Sequence, residues 1–153
     1  MASFEQIELL MQGLGPVLEP LAIDFAEEGR IWGIEMEEDL AVIVQFDEQK
    51  NCLVLSCELG SPPEGDRTAL YEMLMQLNYH WDVTGGTRMA IDCPRGNIVQ
   101  LFETGADGLD IQKLSTLVAA FSSTAEIWRR IIQSPPSSQS TLQDFGSGSD
   151  LRV

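Results

Sequence analysis

Side chains able to act on a chemical bond are few in this chain and poorly spaced for it. His80 is the single histidine. Sites needing two imidazole ligands are therefore excluded, and any nucleophile–histidine pair rests on this one residue. No Ser, Cys or carboxylate is spaced to partner it, and it closes an apolar stretch beside Trp81. That is the position of a structural or surface imidazole. Glu35, Glu37, Glu38 and Asp39 form the densest carboxylate cluster. Calcium would require an oxygen-ligand loop with a glycine bend, and the EF-hand spacing is absent. The cluster reads as a solvated turn that blunts sheet edges. Cys52, Cys57 and Cys93 lack metal-ligand spacing and lie in strand-like apolar runs. They read as reduced core thiols and point to a reducing compartment. Gly13-Leu14-Gly15-Pro16 and Gly105-Ala106-Asp107-Gly108 follow no strand pattern and carry no phosphate-binding lysine, so they read as helix punctuation. No catalytic residue, metal ligand or cofactor is expected.

The totals turn attention from reaction to binding. With 24 acidic against 9 basic residues the formal charge is −15. Contact with nucleic-acid phosphates or anionic lipid is accordingly unfavourable. Lys50 and Lys113 are the only lysines, so no basic patch can form from them. No apolar run is longer than that of Leu40 to Val44, which is far too short for a bilayer. MASFEQIELL has no basic n-region and does not read as a secretory signal. At 153 residues the chain is long enough for one self-sufficient core. The expectation is a cytoplasmic, acidic binding protein.

The elements that must present a binding surface follow from period and punctuation. Ser3, with Gln6 three residues on, reads as a capping box, and Phe4, Ile7, Leu10, Met11 and Leu14 recur at helical spacing until Gly13, Gly15 and Pro16 end the run. Three antiparallel strands are expected at Arg30–Met36, Leu40–Phe46 and Asn51–Leu59. Their shared faces are Trp32, Ile34 and Met36; Leu40, Val42, Val44 and Phe46; and Leu53, Leu55, Cys57 and Leu59. Ala41 and Ile43 place apolar groups on the opposite face as well. Two further strands, Arg88–Cys93 and Asn97–Phe102, precede a helix capped by Asp110 that runs to Gln133. Residues 134–153, rich in Ser, Pro, Gln and Gly, read as a flexible tail after a domain spanning 1–133.

The segment 66–81, DRTALYEMLMQLNYHW, is expected to form a helix capped by Asp66 and apolar on two sides. Leu70, Met73, Leu74, Leu77 and Trp81 make one stripe; Tyr71, Met75 and Tyr79 make another roughly opposite. In so small a chain only one stripe is needed for the core, so the other calls for a partner; a second copy of the chain is the partner expected, and periodicity alone does not say which stripe faces it. The fold class is α+β: helix, three strands, helix, two strands, helix, as a single-domain homodimer.

This pattern resembles the class I chaperones of type III secretion, the Tir-chaperone-like family. The resemblance is carried by FEQIELLMQGLG, by the meander ending LVLSCELG before a proline loop, by LYEMLMQLNYHW with Asn78, by MAIDCP and NIVQLFE, and by a terminal helix containing IWRRII. It covers roughly residues 3–133. It implies a homodimer without nucleotide hydrolysis that holds the N-terminal region of a secreted effector extended for export, with the ATPase of the export apparatus as a further partner. It places effector contacts on Phe4, Ile7, Met11 and Leu14 and on Trp32, Ile34, Val42 and Val44. Dimer contacts fall on Leu70, Tyr71, Leu74, Met75, Asn78 and Tyr79. Two rival readings are a small regulatory or sensory domain of the same topology without secreted cargo, and an enzyme built from scattered carboxylates and His80.

Overall fold

The computed structural model describes residues 1–93 and 95–134, without the side chain of Asp66. The expected tail lies outside the described residues from 135 onward, as do Pro94 and the capping role assigned to the Asp66 side chain.

Helix α1 (Phe4–Leu18) starts at Ser3, whose hydroxyl accepts from the Gln6 N–H while the Gln6 side chain accepts from the Ser3 N–H. Two of the orphan donors at the start of the helix are thereby satisfied. Ile7, Met11 and Leu14 form its buried stripe. The helix does not end at the Gly13–Pro16 punctuation. Pro16 removes only its own amide donor, and the helix runs to Leu18 before Glu19 closes it with φ 51° and an N–H onto the Gly15 carbonyl at 2.9 Å. Gly13 has another role: a Cβ there would lie 3.3 Å from the Ile111 side chain, so the glycine permits a close helix–helix approach.

Among the described residues the sheet has six strands, one more than the sequence pattern predicts. The additional strand is β1 (Ala22–Ala26), antiparallel to β2 (Ile31–Glu35). Asp24 and the following Glu27 and Glu28 mask a short period-2 run in which Ile23 and Phe25 share a face. Strands β3 (Ala41–Asp47), β4 (Cys52–Gly60), β5 (Arg88–Asp92) and β6 (Asn97–Gly105) complete the antiparallel order β1-β2-β3-β4-β6-β5. Helix α4 (Ile111–Gln133), capped by the Asp110 carboxylate on the Lys113 N–H at 2.8 Å, lies across β4 and packs on α1. Trp32, Ile34, Val42, Val44, Phe46, Leu53, Leu55, Cys57 and Leu59 are buried on the face that α1 and α4 cover, as the alternation predicts.

The two-faced segment is interrupted. Helix α2 (Arg67–Tyr79) ends where His80 takes φ −89° and ψ 56°, and a one-turn helix α3 (Trp81–Thr84) follows. The His80 N–H bonds to the Leu77 carbonyl, tightening the last turn. Trp81 therefore leaves the inner stripe and is 72% exposed. Leu70 and Leu74 are buried, while Met73, Leu77 and Tyr71 pack partly against the core.

Candidate functional site

The carboxylate cluster proves to be an anchored turn. Glu38 and Asp39, at φ 59° and 56°, carry the chain from β2 into β3. Arg129 donates to the Glu38 carbonyl at 2.6 Å and to the Asp39 carbonyl at 3.2 Å, and the Arg130 guanidinium meets the Glu38 carboxylate at 3.2 Å. The turn is tied to the end of α4. Among the described residues, no three His, Cys, Asp or Glu are gathered to hold a metal ion. Nor is any described helix long and apolar enough to cross a membrane.

Concave apolar surface instead flanks α1 on both sides. One groove, about 550 Å³, runs between α1 and the β1–β2 hairpin, with Met11, Ile23, Phe25 and Trp32 as its apolar lining and Glu8 and Gln12 on its rim. At its end the rings of Phe4, Phe25 and Trp32 form a trio with centroids 5.1–6.1 Å apart. The Arg30 guanidinium, paired with Glu48, covers the Phe4 ring at 4.7 Å. The backbone N–H of Glu5 and the Ser3 hydroxyl hold the Glu5 carboxyl below the usual carboxylate range. The groove is apolar at its base and carries the Glu8 carboxylate and the Gln12 amide among its lining side chains.

This groove adjoins an open sheet edge. The Met36 N–H bonds to the Leu40 carbonyl, so Met36, Ile34 and Trp32 direct their backbone groups toward β3, and Glu35, Gly33 and Ile31 direct theirs toward β1. Opposite them, Ala22, Asp24 and Ala26 are engaged. The backbone groups of Ile23 and Phe25 face away from the sheet, while their side chains reach the groove. A second groove, about 810 Å³, lies on the other flank of α1, where Ile7, Leu9, Leu10 and Val17 face Leu109 and Ile111.

The expected effector-contact residues divide accordingly. Phe4 is partly exposed in the aromatic trio; Met11 and Trp32 line the first groove and Ile7 the second. Leu14, Ile34, Val42 and Val44 are fully enclosed and line neither groove, because they occupy the stripe and strand face that helix and sheet bury against each other. The pattern missed Phe25, Ile23, Leu9 and Val17. Leu9 and Val17 were legible as apolar residues off the main stripe of α1, and both are exposed.

The expected dimer residues divide too. Leu70 and Leu74 are core residues of one chain. The Asn78 amide is engaged with Met89 of β5. Met75 and Tyr79 are 74% and 81% exposed, and Trp81 and Val83 of α3 and Ile91 of β5 are exposed apolar side chains as well. Tyr71 is half-buried beside them.

A six-stranded antiparallel sheet with two helices on one face and a third at its edge defines the fold class. A chain in the crystal structure of the ExsC–ExsE complex has this fold, with a TM-score of 0.74 at 16% identity over 89% of this chain and 100% of that one. A chain of the HopA1–SchA chaperone–effector complex matches with a TM-score of 0.64 and 15% identity over 81% and 93%. One from the heterodimeric ExoU–SpcU complex of the type III secretion system of Pseudomonas aeruginosa matches at 0.53 and 18% over 67% and 82%. No curated protein matches the chain. Residues 12–129 match the model of the Tir chaperone protein (CesT) family, and the chain belongs to that family.

Proposed function

We propose that this chain is a type III secretion chaperone, a cytoplasmic, non-enzymatic homodimer that binds the N-terminal chaperone-binding region of an effector and keeps it soluble and extended for export. The observation that carries the reading is the groove beside α1 opening onto the unpaired edge of β1. An extended segment gains backbone hydrogen bonds from Ile23 and Phe25 while its alternate side chains enter the groove. Phe4, Phe25 and the rims of Met11 and Trp32 are the contacts proposed there, with Ile7, Leu9 and Val17 serving the second groove. Leu14, Ile34, Val42 and Val44 support these surfaces from below. Membership of a chaperone family supports this reading, as does the pairing of chaperone with effector in the HopA1–SchA complex, whose chain shares the fold.

The homodimer is proposed to form through Met75, Tyr79 and the half-buried Tyr71, with Leu70 and Leu74 holding α2 in place and Asn78 fixing it to β5. The deciding experiment is calorimetric titration of the full chain with N-terminal segments of proteins secreted by the same cell. Saturable binding by at least one segment, lost in Phe25→Asp, is expected. Binding unchanged by Phe25→Asp would overturn the groove assignment, and absence of binding by every secreted protein would overturn the function.

A further inference from the structure

The sheet has a face that no described helix covers. Ile31, Ile43, Val54, Val99 and Leu101 alternate along their strands with the buried residues and so project from the side opposite α1 and α4. Each is half-buried by its neighbours, and none belongs to the core cluster. The register aligns Gly33, Ile43, Ser56 and Leu101 in one row across β2, β3, β4 and β6. Ile43 leans toward Gly33, since a Cβ there would lie 3.8 Å from its δ-methyl. The small Ser56 leaves a notch between Ile43 and Leu101, which stand two strand spacings apart, roughly 10 Å.

Backbone chemistry restricts what can lie on this face. β3, β4 and β6 are paired on both sides, so no strand can be added there and a docked segment must satisfy its own amides. A helix does so. Charge restricts the occupant further. Glu35 and Glu58 border the row on one side and Glu103 on the other, with Asp24 at its end. Arg88, the only cation in the six strands, is paired with Glu103 at 3.6 Å, and Arg95 of the turn between β5 and β6 lies 3.9 Å from Glu58 and 3.1 Å from Asp92, so the carboxylates of this face outnumber the two guanidiniums beside it. Two copies placed face to face would bring like charges together, whereas a basic segment would neutralise them.

We infer that this helix-free face docks an amphipathic helix of a basic partner polypeptide, with its apolar stripe over Ile43, Ser56 and Leu101 and its Lys or Arg residues on Glu35, Glu58 and Glu103. The site is independent of the groove beside α1.

The test is methyl-resolved NMR of the full chain titrated with a designed helix of leucine and lysine, beside the same helix with glutamate in place of lysine. The basic helix is expected to shift the methyls of Ile43, Val54 and Leu101. Ile43→Asp or Leu101→Asp should weaken it by roughly tenfold, the effect of losing one buried aliphatic contact, and Ile43→Val should retain binding. Far-ultraviolet circular dichroism and elution volume should be retained in every variant that tests binding. Shifts confined to Leu9 and Val17, equal binding of the acidic helix, or no shift at all would overturn the inference. A change of oligomeric state in Ile43→Asp would reassign the face to self-association and overturn it as well. None of these outcomes bears on Phe25, so the proposed chaperone function stands or falls separately.

Discussion

The side-chain amide of Asn78 donates to the Met89 carbonyl at 2.9 Å and accepts from the Met89 N–H at 2.8 Å. One asparagine thereby occupies both backbone groups of a residue on the outer edge of β5, as a neighbouring strand would. The two sheet edges consequently differ: β5 is partly closed by α2, and β1 is open. This asymmetry separates the surface proposed for the second copy from the surface proposed for cargo.

Replacing Asn78 with Ala leaves the Met89 amide and carbonyl without these partners. The expected loss is about 1–3 kcal/mol of stability, measured by denaturant unfolding. Asn78→Asp should be at least as damaging, because its carboxylate cannot donate to the Met89 carbonyl.

Met75→Glu with Tyr79→Glu should convert a dimer into a monomer by light scattering while leaving the far-ultraviolet circular dichroism unchanged, since both side chains lie outside the core. Leu74→Ala removes a buried side chain and should instead destabilise the fold by about 2–5 kcal/mol. An unchanged mass in the double variant would place the seam elsewhere.

Phe25→Asp should weaken binding of an effector segment by roughly 2 kcal/mol or more, the scale of an aromatic anchor at an interface. Its thermal transition should move little, because Phe25 is 42% exposed. Titration calorimetry separates the two effects.

Burial raises the Cys57 thiol to about 11, and burial likewise raises that of Cys52, whereas Cys93 is exposed. A thiol reagent at neutral pH should modify Cys93 rapidly and the other two only on unfolding. Mass spectrometry against time would read the order.

The Lys113 N–H, as the first partner, holds the Asp110 carboxyl below its ordinary range. A depressed folded-state value means stability that is present above the ordinary carboxylate range and is lost as pH falls through the lowered value. Asp110→Asn keeps a capping oxygen but removes the ionisation. Its stability should fall less steeply on the acid side than that of the parent chain, as seen in thermal scans across pH.

Much of this architecture was legible because periodicity reports burial directly. The inner faces of β2, β3 and β4 were read from alternation alone. Ser3 and Asp110 were legible as caps because their chemistry is local. β1 was not, since five residues interrupted by Asp24 carry little periodic signal. The groove contacts were only partly legible. An apolar residue on the main stripe satisfies the core first, so the positions left for a partner, Phe25, Leu9 and Val17, are those that break the pattern. The join between α2 and β5 depends on a contact between residues 11 apart in sequence, which no local period encodes.

The open side of β1 also constrains how concentrated the chain can become. A bare ladder beside an oily trough invites an identical strand to add, and then another. Glu27, Glu28 and Asp24, crowded along that border, keep sister molecules at a distance only while their mutual repulsion reaches across the gap. Raising ionic strength without cargo would shorten that reach and let filaments grow from this side, and an occupied border could not seed them.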